Sequence, residues 1–259
     1  MNYHLDNQII LITGGTKGIG YSTAKILADS GAQVIITGRN SARGEEAKLN
    51  LIKEETKRKV SFIQSDLTSL NSIRELAQEI DREFGQLNGL INNARLEANP
   101  ALFEDTTAED IPQIINNLLI SYLQTTRELL FLIRNSPNGA TIVNIGSDAA
   151  RVGTPGEVVI SAGKGGIHSA TKSLAAELSR ENIRVNTVSI SLTSGTGGYD
   201  DVMGDQFSRK IFEKAESRMR LGVPTADDVA HSVAFLTSPM AAKITGQILS
   251  VNGGLSFPG

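Results

Sequence analysis

The 259-residue chain contains no cysteine. Disulfides, thiolate chemistry and cysteine metal sites are therefore excluded. Its three histidines, His4, His168 and His231, are scattered without ligand spacing, so no metal site is expected. Charge of one sign is also lacking. The net charge is −3, with acids and bases mixed along the chain, and neither nucleic acid nor an anionic membrane is implied as a partner. No apolar run approaches the ~20 residues that span a bilayer. The first residues, Met1-Asn2-Tyr3-His4-Leu5-Asp6-Asn7-Gln8, are polar and lack the apolar core of a signal peptide. A soluble cytoplasmic protein is the expectation. Repeats, low-complexity tracts and linkers are absent too, so residues 1–259 are expected to form a single domain.

Short apolar, β-rich runs alternate with helical patterns along the whole length. The runs fall at residues 8–13, 33–37, 60–64, 89–92, 141–145, 184–189 and 247–251. Helical periodicity covers 19–30, 43–57, 72–84, 107–135, 165–180 and 226–236. Strands apolar on both faces, separated by helices, predict an α/β doubly wound Rossmann fold: a seven-stranded parallel sheet with helices on both faces. Residues 191–206, rich in Gly, Ser, Thr and Asp, read as a mobile loop beside the ligand end of the sheet.

The first strand runs directly into Thr13-Gly14-Gly15-Thr16-Lys17-Gly18-Ile19-Gly20 and then a helix. A tight turn that brings backbone to a pyrophosphate needs glycine, and the helix N-terminus offers free N–H groups. Gly14, Thr16, Lys17, Gly18, Ile19 and Gly20 are the candidate cofactor contacts. The second strand ends Thr37-Gly38-Arg39-Asn40, with no carboxylate to hold a ribose 2′-hydroxyl. Arg39 there, with Lys17 in the turn, suits a 2′-phosphate, so NADP(H) is the expected cofactor.

These residues resemble the short-chain dehydrogenase/reductase family, and the resemblance covers nearly the whole chain. Residues 13–20 are similar to its glycine motif. Asp66 and Leu67 are similar to its adenine-contact pair, and Asn92-Asn93-Ala94 to its fourth-strand motif, which adds Asn93 and Ala94 to the expected cofactor contacts. Asn117 stands at its catalytic asparagine and Ser147, in Val143-Asn144-Ile145-Gly146-Ser147, at its catalytic serine. Gly222-Val223-Pro224-Thr225-Ala226-Asp227-Asp228, Ile244-Thr245-Gly246-Gln247 and Val251-Asn252-Gly253-Gly254 complete the match, which looks most like bacterial 3-oxoacyl-carrier-protein reductases. The resemblance implies a small-molecule or acyl-thioester substrate and a homotetramer. Apolar residues on several faces of 107–135 and of the following long helix point the same way.

Three departures bear on the chemistry. The family's Tyr-x-x-x-Lys signature reads Ile160-Ser161-Ala162-Gly163-Lys164, and no tyrosine lies between Tyr122 and Tyr199. Arg95 follows Asn-Asn-Ala where the family has glycine, and Ile190-Ser191 stands where it has Pro-Gly. In the family the tyrosine protonates the carbonyl oxygen, the serine orients it, the asparagine holds a relay water, and the lysine grips the nicotinamide ribose. The resemblance therefore makes Asn117, Ser147, Lys164 and Arg95 the catalytic candidates, Lys164 also a cofactor contact, and leaves the acid missing. Arg95 would disfavour an oxidised nicotinamide or hold a carboxylate or enolate. Plainer roles stand beside these: a surface lysine, an asparagine bridging backbone, a serine closing a turn, an arginine facing solvent, and Asp148 as a solvated loop acid with no role. Three functions stay open. One is reduction of C=O or C=C with a relocated donor, a water held by Lys164 and Asn117 or Tyr199. The others are non-redox chemistry (dehydratase, isomerase or cyclase) and an inactive subunit paired in a hetero-oligomer with an active homologue.

Overall fold

Alternate residues of the inner strands feed two separate cores. Ile10, Ile12, Val34, Ile36, Val143 and Val188 point to one face of the sheet, and Leu11, Ile35, Leu90, Ile142 and Val185 to the other. The structure, a computed structural model, describes residues 2–94 and 99–257. Arg95 therefore lies outside the described residues.

The strands are β1 (Ile9–Ile12), β2 (Gln33–Gly38), β3 (Lys59–Gln64), β4 (Gly89–Asn92), β5 (Ala140–Ser147), β6 (Ile183–Ile190) and β7 (Ile248–Val251). They form one seven-stranded sheet in the order β3-β2-β1-β4-β5-β6-β7. Every pairing is parallel. The expected doubly wound Rossmann fold is the observed one.

The helices are α1 (Gly18–Asp29), α2 (Ser41–Glu54), α3 (Leu70–Phe84), α4 (Asp110–Ile115), α5 (Ser121–Arg134), α6 (Val158–Leu178), α7 (Gly197–Gly204), α8 (Gln206–Glu216) and α9 (Ala226–Thr237). Leu27 of α1, Leu51 of α2 and Val233 of α9 enter the first core. Ile73 and Ile80 of α3, Leu132 of α5 and Leu178 of α6 enter the second. Burying each such side chain contributes roughly 1.5–3 kcal/mol.

Three elements differ from the sequence reading. The stretch 107–135 is not one α-helix: a π-helical segment, Asn116–Ile120, joins α4 to α5. The long helix begins at Val158 rather than 165, because its interior glycines suit close packing. A Cβ on Gly166 would meet Leu119 Cδ2 at 2.6 Å. This places Ile160 and Lys164 on the same helix, one turn apart. Residues 191–206, expected as a loop, contain α7. The Thr196 side chain caps it by accepting from Tyr199 N–H, and Val202 buries its inner face. The residues before it are tied to the approach to α9, with Ser194 N–H donating to Pro224 O at 2.8 Å.

Strand order reverses between β1 and β4, and ligands of such sheets bind beyond the carboxyl ends at that point. The glycine turn, Asn93-Ala94, Ser147 and the residues after Ile190 all emerge there.

Candidate active site

A cleft of ≈ 1130 Å³ opens along these strand ends. Common small-molecule sites are about 300–1,000 Å³, so this one has room for a dinucleotide and a second molecule.

Its first half is built by the glycine turn. Gly14 has φ +65°, and a Cβ there would sit 2.8 Å from Ala94 Cα. A Cβ on Gly20 would sit 2.4 Å from Gly14 O and 2.5 Å from Asn93 Nδ2. Only glycine lets the turn, the helix and the end of β4 meet this closely. Asn93 and Ala94 clasp the turn: Asn93 Nδ2 donates to Thr13 O at 2.9 Å and Gly14 O at 3.1 Å, and Ala94 N–H to Thr13 Oγ1 at 3.1 Å. No side chain caps α1, so its first N–H groups face the cleft for a phosphate. Gly14, Thr16, Lys17, Gly18, Ile19 and Gly20 all line this half, as do Asn93, Ala94 and Leu67. Asp66 does not line it; its carboxylate accepts from Thr68 N–H at 3.0 Å and Thr68 Oγ1 at 2.8 Å. Arg39 lines the cleft at the end of β2 beside Arg43, a cation the sequence reading passed over. The close glycine turn and the open helix N-terminus fit a dinucleotide's pyrophosphate.

The second half holds the candidate chemistry. Ser147 is the last residue of β5, and its Oγ accepts from Ala149 N–H at 3.3 Å. Lys164 Nζ donates to Ile145 O at 3.1 Å and lies 4.9 Å from the Tyr122 ring centre. Ile160 lines the wall with Ser147 and Lys164. The structure thus brings Ser147, Ile160 and Lys164 together, but not Asn117. Asn117 is buried in the π-helical segment, where its Oδ1 accepts from Gln113 Nε2 at 2.8 Å, and Leu118 rather than Asn117 lines the cleft. Tyr122 borders the cleft but is not a free acid. Its hydroxyl donates to Ala94 O at 3.2 Å, and complete burial pushes its pKa far up.

Asp148 is not the solvated acid expected from the sequence. It is 4 % exposed and accepts from Ser250 Oγ at 2.8 Å, Asn252 Nδ2 at 2.6 Å and Arg151 Nη2 at 3.1 Å. It fastens the end of β5, next to Ser147, to β7 and the segment after it. Nothing in the local sequence signals this, because Ser250 and Asn252 lie about a hundred residues away.

Two further groups escaped the sequence reading. Glu157, the residue before α6, lines the same cleft, and burial pushes its carboxyl up to about 7. Lys210 and Lys214 on α8, with Arg218 just beyond, line the cleft on the substrate side. Their four-residue spacing is visible in the sequence, but not where the helix sits. Tyr199 of α7 also reaches the cleft.

A family profile described as enoyl-(acyl carrier protein) reductase matches residues 14–256. The chain belongs to the short-chain dehydrogenase/reductase family. It is 31 % identical over 258 residues to the 3-oxoacyl-[acyl-carrier-protein] reductase of Chlamydia muridarum, covering 99 % of this chain and 100 % of that one. It is 33 % identical over 261 residues to the enzyme of the same name from Aquifex aeolicus, covering 98 % and 100 %. Among solved structures it resembles the NADPH-bound short-chain oxidoreductase of Pseudomonas aeruginosa PAO1 described as containing an atypical catalytic center. That match has TM-score 0.89 and 26 % identity, and covers 98 % of this chain and 99 % of the other. Its relatives make this short-chain dehydrogenase/reductase an oxidoreductase-family protein. No described helix is long and apolar enough to cross a membrane.

Proposed function

We propose that this chain is an NADP(H)-dependent reductase of carbonyl or conjugated C=C bonds in acyl-thioester substrates, with its proton donor moved away from the tyrosine position. The observation that carries the reading is the contrast inside one cleft. The glycine cradle, Lys17 and Arg39 line one half of it, as nucleotide binding would need, while Ser147 and Lys164 line the other beside an isoleucine, Ile160. The NADPH-bound relative with an atypical center supports retention of the nucleotide alongside altered chemistry.

Gly14, Thr16, Gly18, Ile19 and Gly20 would hold the pyrophosphate, Lys17 and Arg39 the 2′-phosphate, Leu67, Asn93 and Ala94 the adenosine side, and Lys164 the nicotinamide ribose. Bound there, NADPH supplies a hydride. The protein's part is to hold the substrate oxygen at Ser147 Oγ, exclude water with Tyr122, Ile160 and Leu192, and deliver a proton. Lys210, Lys214 and Arg218 favour a substrate whose carrier is anionic, as a phosphopantetheine thioester is. The apolar residues left exposed on and beside α5, Ile120, Leu123 and Phe131, support the homotetramer.

The test is an assay with acetoacetyl-N-acetylcysteamine and crotonyl-N-acetylcysteamine, following NADPH loss and product together. One NADPH consumed per product formed supports the proposal. Product without NADPH loss would assign the cleft to non-redox chemistry, and no product from either thioester would assign the chain a partner role.

A further inference from the structure

Resting on the reductase reading, we propose that Glu157 is the relocated proton donor, its carboxyl giving its proton to the substrate oxygen held by Ser147. Glu157 is the N-cap residue of α6, three residues before Ile160 and seven before Lys164, so it stands at the N-terminal end of the helix that carries both. All three line the cleft with Ser147. Position alone would give Glu157 a structural task, since an acid preceding a helix ordinarily accepts N–H groups of the first turn. It does not do so; the α6 N-terminus has no side-chain cap. The segment before it is pressed under α8, where a Cβ on Gly156 would meet the Phe207 ring at 3.0 Å, and Gly156 O accepts from Ala101 N–H at 2.8 Å.

Burial raises the carboxyl to about 7, against an opposing hydrogen bond with Thr154. At neutral pH a large fraction is therefore a neutral acid, matched to general-acid work. The charged and titratable groups sharing this part of the cleft are Lys164 on its own helix, Tyr122 on α5, Asp148 at the end of β5, Tyr199 and Asp201 on α7, and Lys210, Lys214 and Arg218 on the α8 side. Other residues of this wall serve less well. Tyr122 spends its proton on Ala94 O, and Asp148 is an acceptor for four side chains.

The balance is simple. The C=O π bond breaks, its carbon takes the hydride that NADPH supplies, and its oxygen takes the proton as the Glu157 O–H bond breaks. The carboxylate left behind is reprotonated from solvent at the cleft mouth.

Two measurements test this. Infrared titration of the nucleotide-free protein should show a carboxylic-acid C=O band that fades as pH rises through about 7 and is missing in Glu157→Gln. In the acetoacetyl thioester assay, Glu157→Gln should lower the rate by a factor on the order of 10² or more, with NADPH affinity unchanged. Glu157→Asp should keep part of the rate, and adding Ile160→Tyr to Glu157→Gln should restore at least a factor of about ten by returning an acid to the wall. No titrating band, or Glu157→Gln within a factor of about two of the parent, would overturn the donor role and leave the reductase reading standing. A parent protein inactive on both thioesters would overturn both together.

Discussion

Asn252 Nδ2 donates to Asp148 Oδ2 at 2.6 Å across 104 positions of chain. Asp148 also ion-pairs with Arg151, whose Nη2 contacts Ser250 Oγ, so one buried carboxylate joins the end of β5 to β7 and the turn beyond it. Removing a buried charge partner costs about 3–5 kcal/mol when its counter-ion stays behind. Asp148→Asn should therefore cost a few kcal/mol in urea unfolding, and should lower reductase rate by loosening Ser147. An unfolding midpoint equal to the parent's would show that the cluster does not hold the strand ends.

The nucleotide half should fail at a single methyl group. In Gly20→Ala the added Cβ would overlap Gly14 O and Asn93 Nδ2, neither of which can retreat without opening the clasp between the turn and β4. Overpacking of this kind costs typically about 1–3 kcal/mol. NADPH affinity should fall at least tenfold, about 1.4 kcal/mol, while circular dichroism stays that of the parent. Unchanged affinity would mean that the turn does not approach the ligand.

The half-buried Glu157 and the buried His168 should give the folded state opposing pH responses. Burial holds Glu157 at about 7 against an ordinary 4.5, so its contribution to stability is full below 4.5 and is lost as pH rises through 7. Burial first, and then the Arg151 charge, hold His168 at about 4 against 6.5. Its contribution is full above 6.5 and is lost as pH falls through 4. Between about 4.5 and 6.5 the two slopes cancel. Thermal melts over that range should slope downward with rising pH in His168→Gln and upward in Glu157→Gln. Parallel profiles for parent and variants would contradict the placement of both groups.

Assembly is open to a direct check. Leu123 and Phe131 of α5 are 41 % and 46 % exposed, large apolar areas to leave in water. Light scattering should report a tetramer for the parent, and smaller species for Leu123→Glu/Phe131→Glu. A monomeric parent at micromolar concentration would rule the assembly out.

The sequence made the sheet and the nucleotide half legible because both are local. Strand periodicity places Ile10, Leu11 and Ile12 on alternate faces, and the glycine turn is continuous in the chain. Ser147, Ile160 and Lys164 were also readable, since the β5–α6 segment that carries them is short. What was not readable depends on distant packing. Asp148 finds partners on and just after β7, and Glu157 owes its raised pKa to burial in a cleft closed by a later helix. The helix in 191–206 was hidden by its glycines, which do not reveal that Thr196 caps it and Val202 anchors it. Asn117, placed by its motif, proves buried among helical neighbours, and Asp66 spends its carboxylate on Thr68.

The central claim is that this cleft is an NADP(H) site, and calorimetric titration with NADPH and NADH tests it most directly. Lys17 and Arg39 both line the cleft, the proposal gives them the 2′-phosphate, and charge-assisted bonds to phosphate are strong. NADPH should bind at least tenfold more tightly than NADH, and Arg39→Asp should abolish or reverse the difference. Equal affinity for the two nucleotides, or binding of neither, would contradict the account.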